Sequence, residues 1–160
     1  TQNLWSLSYR FGESYEIGGH VIPGFPKPGV LDDESALREA KTGYRATYLL
    51  ALNHHVKEHP QWLDEVSSLS YAEARTQLMQ LPGVGPKIAD CVCLFGLGHE
   101  EAFPVDTWIQ QYVQRYLSED GKKPSPEACA AILMEQYPRN RGLIQQYIFH
   151  YMTQVIQKAP

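Results

Sequence analysis

Residues 81–87, which read LPGVGPK, place a lysine and several backbone amides where both can do chemistry. Two glycines two positions apart allow a sharp reversal between helices and the close approach of another backbone. Because Pro86 suits the first position of the next helix, the amides of Gly83, Gly85 and Ile88 lie at or near its N-terminus. Such amides have no partner within the helix and favour an anion such as a phosphate. A plain helix–helix turn is the alternative that Gly-x-Gly alone leaves open.

Lys87 lies in the first turn of that predicted helix, beside the predicted anion site. A lysine amine is a nucleophile only in its neutral form, which burial and a helix N-terminus both favour. Lys87 is therefore a candidate for covalent catalysis, although a lone lysine is ordinarily a solvated surface charge. Cys91 comes four residues later and lies on the same flank of the helix, where a small buried core residue is the alternative interpretation.

The last predicted helix, from about Arg141 to Lys158, carries a second candidate group. Its apolar stripe consists of Leu143, Ile144, Tyr147, Ile148, Tyr151 and Val155. Gln145 and Phe149 are four residues apart and share a face that is rotated by roughly 100–150° from this stripe. An aromatic ring beside an amide, outside the apolar stripe, leaves two interpretations open: a second packing surface on a surrounded helix, or a binding surface.

Helical patterns dominate the rest of the chain and predict an all-α fold with many helices. Residues 12–31 are rich in Gly and Pro and are predicted as loop, with a short extended piece at 20–22. Asp32 or Asp33 caps a helix that runs to about Ala40. The other helices are predicted near residues 3–11, 44–58, 62–67, 70–80, 86–95, 107–117 and 126–137, with Ser70, Asp106 and Ser125 as N-caps.

Composition limits the function classes. The chain has 160 residues and is 43% hydrophobic, which is enough for one folded domain with a core. No apolar stretch is long enough to span a membrane and no leader precedes the first helix, so we expect an intracellular protein, in cytoplasm, nucleoid or nucleus. Helical spacing starts directly after Thr1, which suggests a piece of a longer protein. The formal net charge of −4 argues mildly against nucleic-acid binding, although backbone amides can still hold a phosphate.

Cysteine usage argues against two kinds of site. Three cysteines, at 91, 93 and 129, do not form a secreted disulfide framework. Cys91 and Cys93 are too close in sequence for the usual zinc pair, and three cysteines cannot supply a four-cysteine iron–sulfur cluster. We therefore expect no cofactor and no required metal.

The run LPGVGPKIADCVCLFGLG, followed by AFPVD, resembles the signature of the helix-hairpin-helix DNA glycosylase superfamily. Within it, Lys87, the Asp-Cys pair at 90–91 and Pro-Val-Asp at 104–106 resemble the 8-oxoguanine DNA glycosylases most closely. The sequence GYRATY at 43–48 and the Gln–Phe pair of the last helix extend the resemblance over nearly the whole chain. It implies that residues 1–160 form a glycosylase catalytic region whose upstream domain is not in this chain.

The resemblance also implies a reaction. Lys87 would attack the sugar C1′, displace the base and form a Schiff base, which permits strand cleavage by β-elimination. Asp106 would stabilise the positive charge that develops at C1′. Members with both residues act as glycosylase and lyase, so the expected function is excision of 8-oxoguanine opposite cytosine, with lyase activity at the abasic site.

By the same resemblance, Gln145 would read the Watson–Crick edge of a flipped base, while Phe149 and Cys91 would lie against its two faces. Tyr44 would enter the duplex as a wedge and Arg45 would point toward the orphaned cytosine. A helix-start aromatic and a surface charge are the alternatives for these last two. The expected partner is double-stranded DNA with oxidised guanine, bound by a monomer.

The family also makes a monovalent cation possible under the hairpin carbonyls of Met79, Leu81 and Val84. Two positions depart from the eukaryotic pattern: Trp108 replaces a histidine and Met152 replaces an aspartate, which suggests an altered pocket wall. Two further functions therefore stay open. One is a helix-hairpin-helix glycosylase for another damaged base, and the other is a non-catalytic DNA-binding module.

Overall fold

The computed structural model describes residues 2–118 and 121–156, and the chain divides into two compact units. The first unit comprises residues 1–68 and 81–83, and the second comprises residues 69–80 and 84–160. Helices form most of both units, so the predicted all-α class is confirmed. Within the described part, no helix has the length and apolar character that a membrane crossing needs. That residues 1–160 act as one catalytic region stays a prediction.

The first unit contains four helices and one β-hairpin among its described residues. The elements are α1 (Gln2–Phe11), β1 (Ser14–Ile17), β2 (His20–Pro23), α2 (Glu34–Leu37) followed by a π-helical turn (Arg38–Thr42), α3 (Arg45–Glu58) and α4 (Trp62–Ser67). The hairpin corrects the prediction of a loop over 12–31, although the extended piece at 20–22 lies in β2. Gly18 and Gly19, which join the strands, both have positive φ, as a type I′ turn requires. Gly-Gly between short β-prone runs was the overlooked signal.

Local capping organises α2, and a buried amide organises the loop before it. The Asp33 carboxylate accepts hydrogen bonds from the amides of Ser35 and Ala36, at 2.8 and 3.2 Å, which confirms Asp33 as the cap. Asn53 of α3 is buried, and its Oδ1 accepts from the amides of Gly29 and Leu31. The core of this unit is formed by Leu7, Leu31, Leu37, Ala40 and Ala46.

The second unit contains five further helices in the described range. They are α5 (Tyr71–Leu78), α6 (Pro86–Phe95), α7 (Thr107–Tyr116), α8 (Pro126–Gln136) and α9 (Arg141–His150), the last followed by a π-helical turn (Tyr151–Ile156). The capping box of Ser70 and Glu73 is present as predicted, and Ser125 caps α8 through the Ala128 amide. The predicted helix end at Lys158 and the side chain of Val155 lie outside the described residues.

Helix α9 buries only part of the predicted apolar stripe, and its buried face also includes Gln145. Leu143 and Tyr147 of the predicted apolar stripe are 58% and 69% exposed, whereas Gln145 is 4% and Met152 2% exposed. Met152 and Ile148 join a core that also contains Phe103, Ile109, Val113, Cys129 and Leu133. The Gly142 amide donates to the Glu100 carbonyl at 2.8 Å, and a Cβ at Gly142 would collide with the Leu94 side chain. Because Gly142 has no side chain, Leu94 can approach the face of α9 that carries Gly142 and Gln145.

Candidate active site at the N-terminus of α6

The two hairpin glycines are needed for different reasons. Gly83 has φ +80°, and a Cβ there would fall on the Tyr48 ring of the same unit, so packing and backbone conformation both require glycine. Gly85, the N-cap of α6, has φ −92°, and a Cβ there would meet nothing within 4 Å. Nothing in the described structure therefore requires glycine at 85. The open space instead leaves the backbone at the start of α6 accessible to another molecule.

Lys87 is the second residue of α6, as predicted. Pro86 is the first residue of the helix, and the Ala89 amide closes the first turn on the Gly85 carbonyl at 3.0 Å. Lys87 and Ile88 are both exposed in the protein alone. The expected burial of Lys87 is therefore wrong for the free chain, because the helix start projects into solvent. The amine is accessible to a large substrate.

One wall of a cavity of about 190 Å³ is formed by Lys87. The other lining residues come from α5, α6, α8 and the segment before α7, and are Arg75, Pro86, Asp90, Val105, Pro126, Glu127 and Ala130. Val105 directly precedes Asp106, so the structure brings the Lys87 turn and the predicted Pro-Val-Asp segment to the same cavity.

Asp106 caps α7, as predicted. Its Oδ1 accepts from the amides of Trp108 and Ile109, both at 2.9 Å, and the residue is half-buried. Two hydrogen bonds to a helix start fix the orientation of this carboxylate. The carboxylate is therefore held rigidly, one residue after Val105 of the cavity lining.

The Gln145 amide is engaged within the second unit. Its Nε2 donates to the Pro104 carbonyl at 3.2 Å, and its Oε1 accepts from Gln146. A primary amide has two N–H donors and two oxygen lone pairs, so one of each remains for a ligand. The bond to Pro104 ties α9 to the segment that ends in Asp106. Phe149 lies one turn further along α9 and is partly exposed, and Cys91 is half-buried on α6.

In the first unit, Tyr44 and Arg45 stand at the start of α3. Tyr44 is well exposed, and the Arg45 guanidinium lies over its ring, 4.7 Å from the centroid. The Tyr44 ring meets the edge of Tyr48 at a centroid distance of 6.3 Å. Since Tyr48 packs on Gly83, a continuous contact chain runs from Arg45 to the hairpin glycine within this unit.

Comparison with known proteins assigns the family. No protein-family profile matches the chain. The N-glycosylase/DNA lyase OGG1 of Arabidopsis thaliana is 31% identical over 90% of this chain and 42% of its own length. A probable N-glycosylase/DNA lyase of Methanothermobacter thermautotrophicus is 28% identical over 94% of this chain and 52% of its own length.

A solved structure is similar to most of this chain. The 8-oxoguanine glycosylase/lyase of Clostridium acetobutylicum, in complex with double-stranded DNA containing cytosine opposite to 8-oxoG, superposes with a TM-score of 0.85 at 29% identity. The match covers 94% of this chain and 52% of that one. The chain belongs to the helix-hairpin-helix DNA glycosylase superfamily. It spans about half the length of the relatives it matches.

Two polar residues of this glycosylase-family chain, Tyr71 and Arg75, were not singled out from the sequence, and Asp90 was noted only within the Asp-Cys pair of the resemblance. Asp90 is 7% exposed and accepts hydrogen bonds from the Tyr71 hydroxyl at 2.8 Å and from Arg75 Nε at 2.6 Å. Burial, and then the bond to Asp90, raises the pKa of Tyr71, so its hydroxyl keeps its proton and donates. The available signal was spacing: Tyr71 and Arg75 are four apart on α5, and Asp90 is one turn after Lys87.

The two departures from the eukaryotic pattern both pack in the core of the second unit. Met152 belongs to the buried cluster and the half-buried Trp108 packs against it. Trp108 and Met152 thus both pack in this core, and an additional role at a pocket wall stays a prediction.

Within the described residues, no group of three or more His, Cys, Asp or Glu side chains is arranged to hold a metal ion. Cys93 and Cys129 are buried, and burial raises the pKa of both thiols. The monovalent cation at the carbonyls of Met79, Leu81 and Val84 stays a prediction.

Proposed function

We propose that the protein is a base-excision-repair DNA glycosylase that removes 8-oxoguanine opposite cytosine and cleaves the resulting abasic site through a lysine Schiff base. The observation that carries this proposal is the position of Lys87, exposed in the first turn of α6 and lining a cavity with Val105, the neighbour of Asp106. Similarity to proteins named N-glycosylase/DNA lyase supports the reaction class.

In the proposed reaction the neutral Lys87 amine attacks the sugar C1′ and the bond from C1′ to the base breaks. The bonding electrons leave with the base, which takes up a proton, and the attacking nitrogen loses one. Opening of the sugar ring then yields the Schiff base. Loss of a proton from C2′ expels the 3′ phosphate, which cuts the strand on the 3′ side of the lesion.

Asp106 acts on the same sugar in this proposal. Its carboxylate stabilises the positive charge that develops at C1′ as the base leaves, and it can assist proton transfer. The cap bonds to Trp108 and Ile109 hold it in one orientation, so little reorganisation is needed during the reaction. Capping and catalysis are compatible because each carboxylate oxygen has two lone pairs.

The duplex is held by backbone groups rather than by a basic surface. We assign the phosphate contacts to the amides of Gly83, Gly85 and Ile88, which suits a chain whose net charge is −4. The open space around Gly85 supports this assignment, because a DNA backbone can approach there without displacing a side chain.

Gln145, Phe149 and Cys91 form the proposed pocket for the flipped base. The remaining N–H and lone pair of the Gln145 amide are suited to a base edge, and partial exposure of the Phe149 ring leaves it able to stack. Tyr44 and Arg45 are assigned to the duplex, as wedge and as contact to the orphaned cytosine. The protein is proposed to act as a monomer, without a cofactor, in the compartment that holds the DNA.

A lesion panel tests the substrate. The intact protein is incubated with matched duplexes that carry 8-oxoguanine opposite cytosine, 8-oxoguanine opposite adenine, unmodified guanine, or another damaged base, and base release and strand cleavage are scored separately. We expect fastest release, with accompanying cleavage, from 8-oxoguanine opposite cytosine. Preference for another damaged base would show that the protein is a glycosylase with a different substrate. Tight binding of every duplex with no base release would indicate a DNA-binding module.

A further inference from the structure

A buried ion pair lies between the two helices that flank the hairpin. The Asp90 carboxylate of α6 is paired with the Arg75 guanidinium of α5, and the same oxygen accepts from the Tyr71 hydroxyl. Asp90 is almost fully buried, and the Arg75 side chain is one-third exposed. The three side chains make polar contacts between α5 and α6, at positions where apolar side chains could also pack.

Stability alone does not explain this choice of residues. Removing two charges from water costs about as much as their attraction returns, so well-packed apolar replacements are often neutral or stabilising. The best-attested use of a buried polar pair is to fix the register of two helices. Here both donors on α5 converge on one oxygen of α6. A slip of one turn, about 5.4 Å, would break both bonds and leave a buried charge unpaired.

The register of α6 determines where its first turn lies. Lys87 precedes Asp90 by three residues, which puts the two side chains on adjacent turns of one helix flank. Arg75, Lys87 and Asp90 all line the same cavity. Because α6 is a continuous helix, a shift or rotation at Asp90 moves the Lys87 amine and the amides of the first turn by a similar amount.

We propose that Tyr71, Arg75 and Asp90 are positioning residues that lock α6 in register against α5 and thereby place Lys87 for attack on the damaged nucleotide. The inference rests on the proposed role of Lys87. Asp90 and Arg75 act through the helix rather than on the substrate. A misplacement of about 1 Å costs on the order of 100-fold in rate, so the lock matters more for chemistry than for folding.

The test replaces the ion pair with apolar side chains of similar size, in the double variant Arg75→Met/Asp90→Leu of the intact protein. Borohydride trapping on a duplex with 8-oxoguanine opposite cytosine gives the rate of Schiff-base formation, and thermal unfolding gives stability. We expect trapping to fall by roughly 10- to 100-fold while the unfolding temperature stays equal or rises. Trapping at the parent rate would overturn the proposal.

Two comparison variants distinguish a change in the register of α6 from a general loss of stability. Leu133→Ala removes a core side chain of the same unit away from the cavity, so it should lower the unfolding temperature and leave trapping unchanged below that temperature. Asp90→Asn keeps an oxygen that can accept from Tyr71 and Arg75, and should retain trapping to within about threefold of the parent. Loss of trapping that simply follows unfolding temperature across all variants would also overturn the proposal.

An activity-independent measurement distinguishes failure of this inference from failure of the proposed function. If the parent forms no adduct, the role proposed for Lys87 is wrong. The register of α6 is then judged from the amide resonances alone. We expect the Gly85, Lys87 and Ile88 amide signals to move in Arg75→Met/Asp90→Leu and to stay in place in Leu133→Ala. If these amide signals do not move in the double variant, the ion pair does not fix the register of α6, whatever the trapping rate.

Discussion

Helices α6 and α7 begin where the sequence predicts, whereas α9 buries only part of the apolar stripe that the sequence predicts. Gly85-Pro86 starts α6, and the Asp106 carboxylate caps α7 through two amide bonds. In α9, by contrast, Gln145 is buried and Tyr147 is exposed. The difference reflects the range of the forces involved. A cap is made with amides two and three residues away, but the buried face of a helix depends on elements that are distant in sequence.

The contrast matters because the two regions supply different parts of the proposed site. Local signals position the nucleophile and the carboxylate, and long-range packing positions the amide of the proposed base pocket. Gln145 is held by the Pro104 carbonyl, 41 residues earlier in the chain. We therefore expect substitutions at the helix starts to affect chemistry with little loss of stability, and substitutions on the buried face of α9 to affect stability first.

The largest effect beyond Lys87 is expected at Asp106. Asp106→Asn keeps a good N-cap but removes the charge that stabilises C1′, so excision should slow by about 100- to 1000-fold with the unfolding temperature nearly unchanged. Single-turnover base release and thermal unfolding measure the two quantities. Asp106→Ala is the matched control, because it should slow excision similarly and also lose about 1 kcal/mol of stability with the cap. An unchanged excision rate in Asp106→Asn would remove this residue from the mechanism.

Two residues of the predicted α9 stripe, one buried and one exposed, provide the next test. Ile148→Ala should lower the free energy of unfolding by about 2–4 kcal/mol, because it opens a cavity in the core of the second unit. Tyr147→Ala removes a larger side chain from an exposed position and should cost less than about 1 kcal/mol. Denaturant titration of both variants gives the comparison. Equal losses, or a larger loss at Tyr147, would show that Tyr147 also lies on the buried face, as the predicted stripe requires.

Two glycines in the hairpin should respond differently to the same added methyl group. Gly83→Ala combines positive φ with a collision against Tyr48 and should cost about 1–3 kcal/mol of stability. Gly85→Ala meets no atom of the protein, so stability should hold while affinity for a short duplex falls several-fold. Unfolding and fluorescence-anisotropy titrations measure these two effects. Unchanged duplex affinity in Gly85→Ala would argue against a phosphate contact at this position.

The smallest effect concerns substrate choice. Gln145→Ala should reduce the preference for oxidised over normal guanine by roughly tenfold, because a site built to hydrogen-bond a base edge loses its partner. It should also destabilise the protein, since the Pro104 carbonyl loses a buried donor. Tyr147→Ala, at an exposed position of the same helix, is the neighbouring control and should leave the preference intact. The ratio of the two excision rates is the measurement, and an unaltered ratio in Gln145→Ala would exclude this residue from base recognition.

Much of the fold and part of the site could be predicted from the sequence. The caps at Asp33, Ser70 and Asp106 lie within three residues of the groups they bind, so local residue types were sufficient. The β-hairpin was overlooked although Gly18-Gly19 carried its turn signal. The network of Asp90 with α5 could not be predicted from α6 alone, because it exists only when two helices pack. The buried face of α9 likewise depended on the absent side chain at Gly142 and its neighbour Leu94.

Borohydride trapping tests whether Lys87 forms a Schiff base with the damaged nucleotide. The intact protein and its Lys87→Gln variant are each incubated with a duplex containing 8-oxoguanine opposite cytosine, in the presence of borohydride. We expect a covalent protein–DNA adduct with the parent, and none with Lys87→Gln even though that variant still binds the duplex. An adduct of equal yield with Lys87→Gln would show that another amine is the nucleophile, and no adduct with the parent would contradict the Schiff-base mechanism.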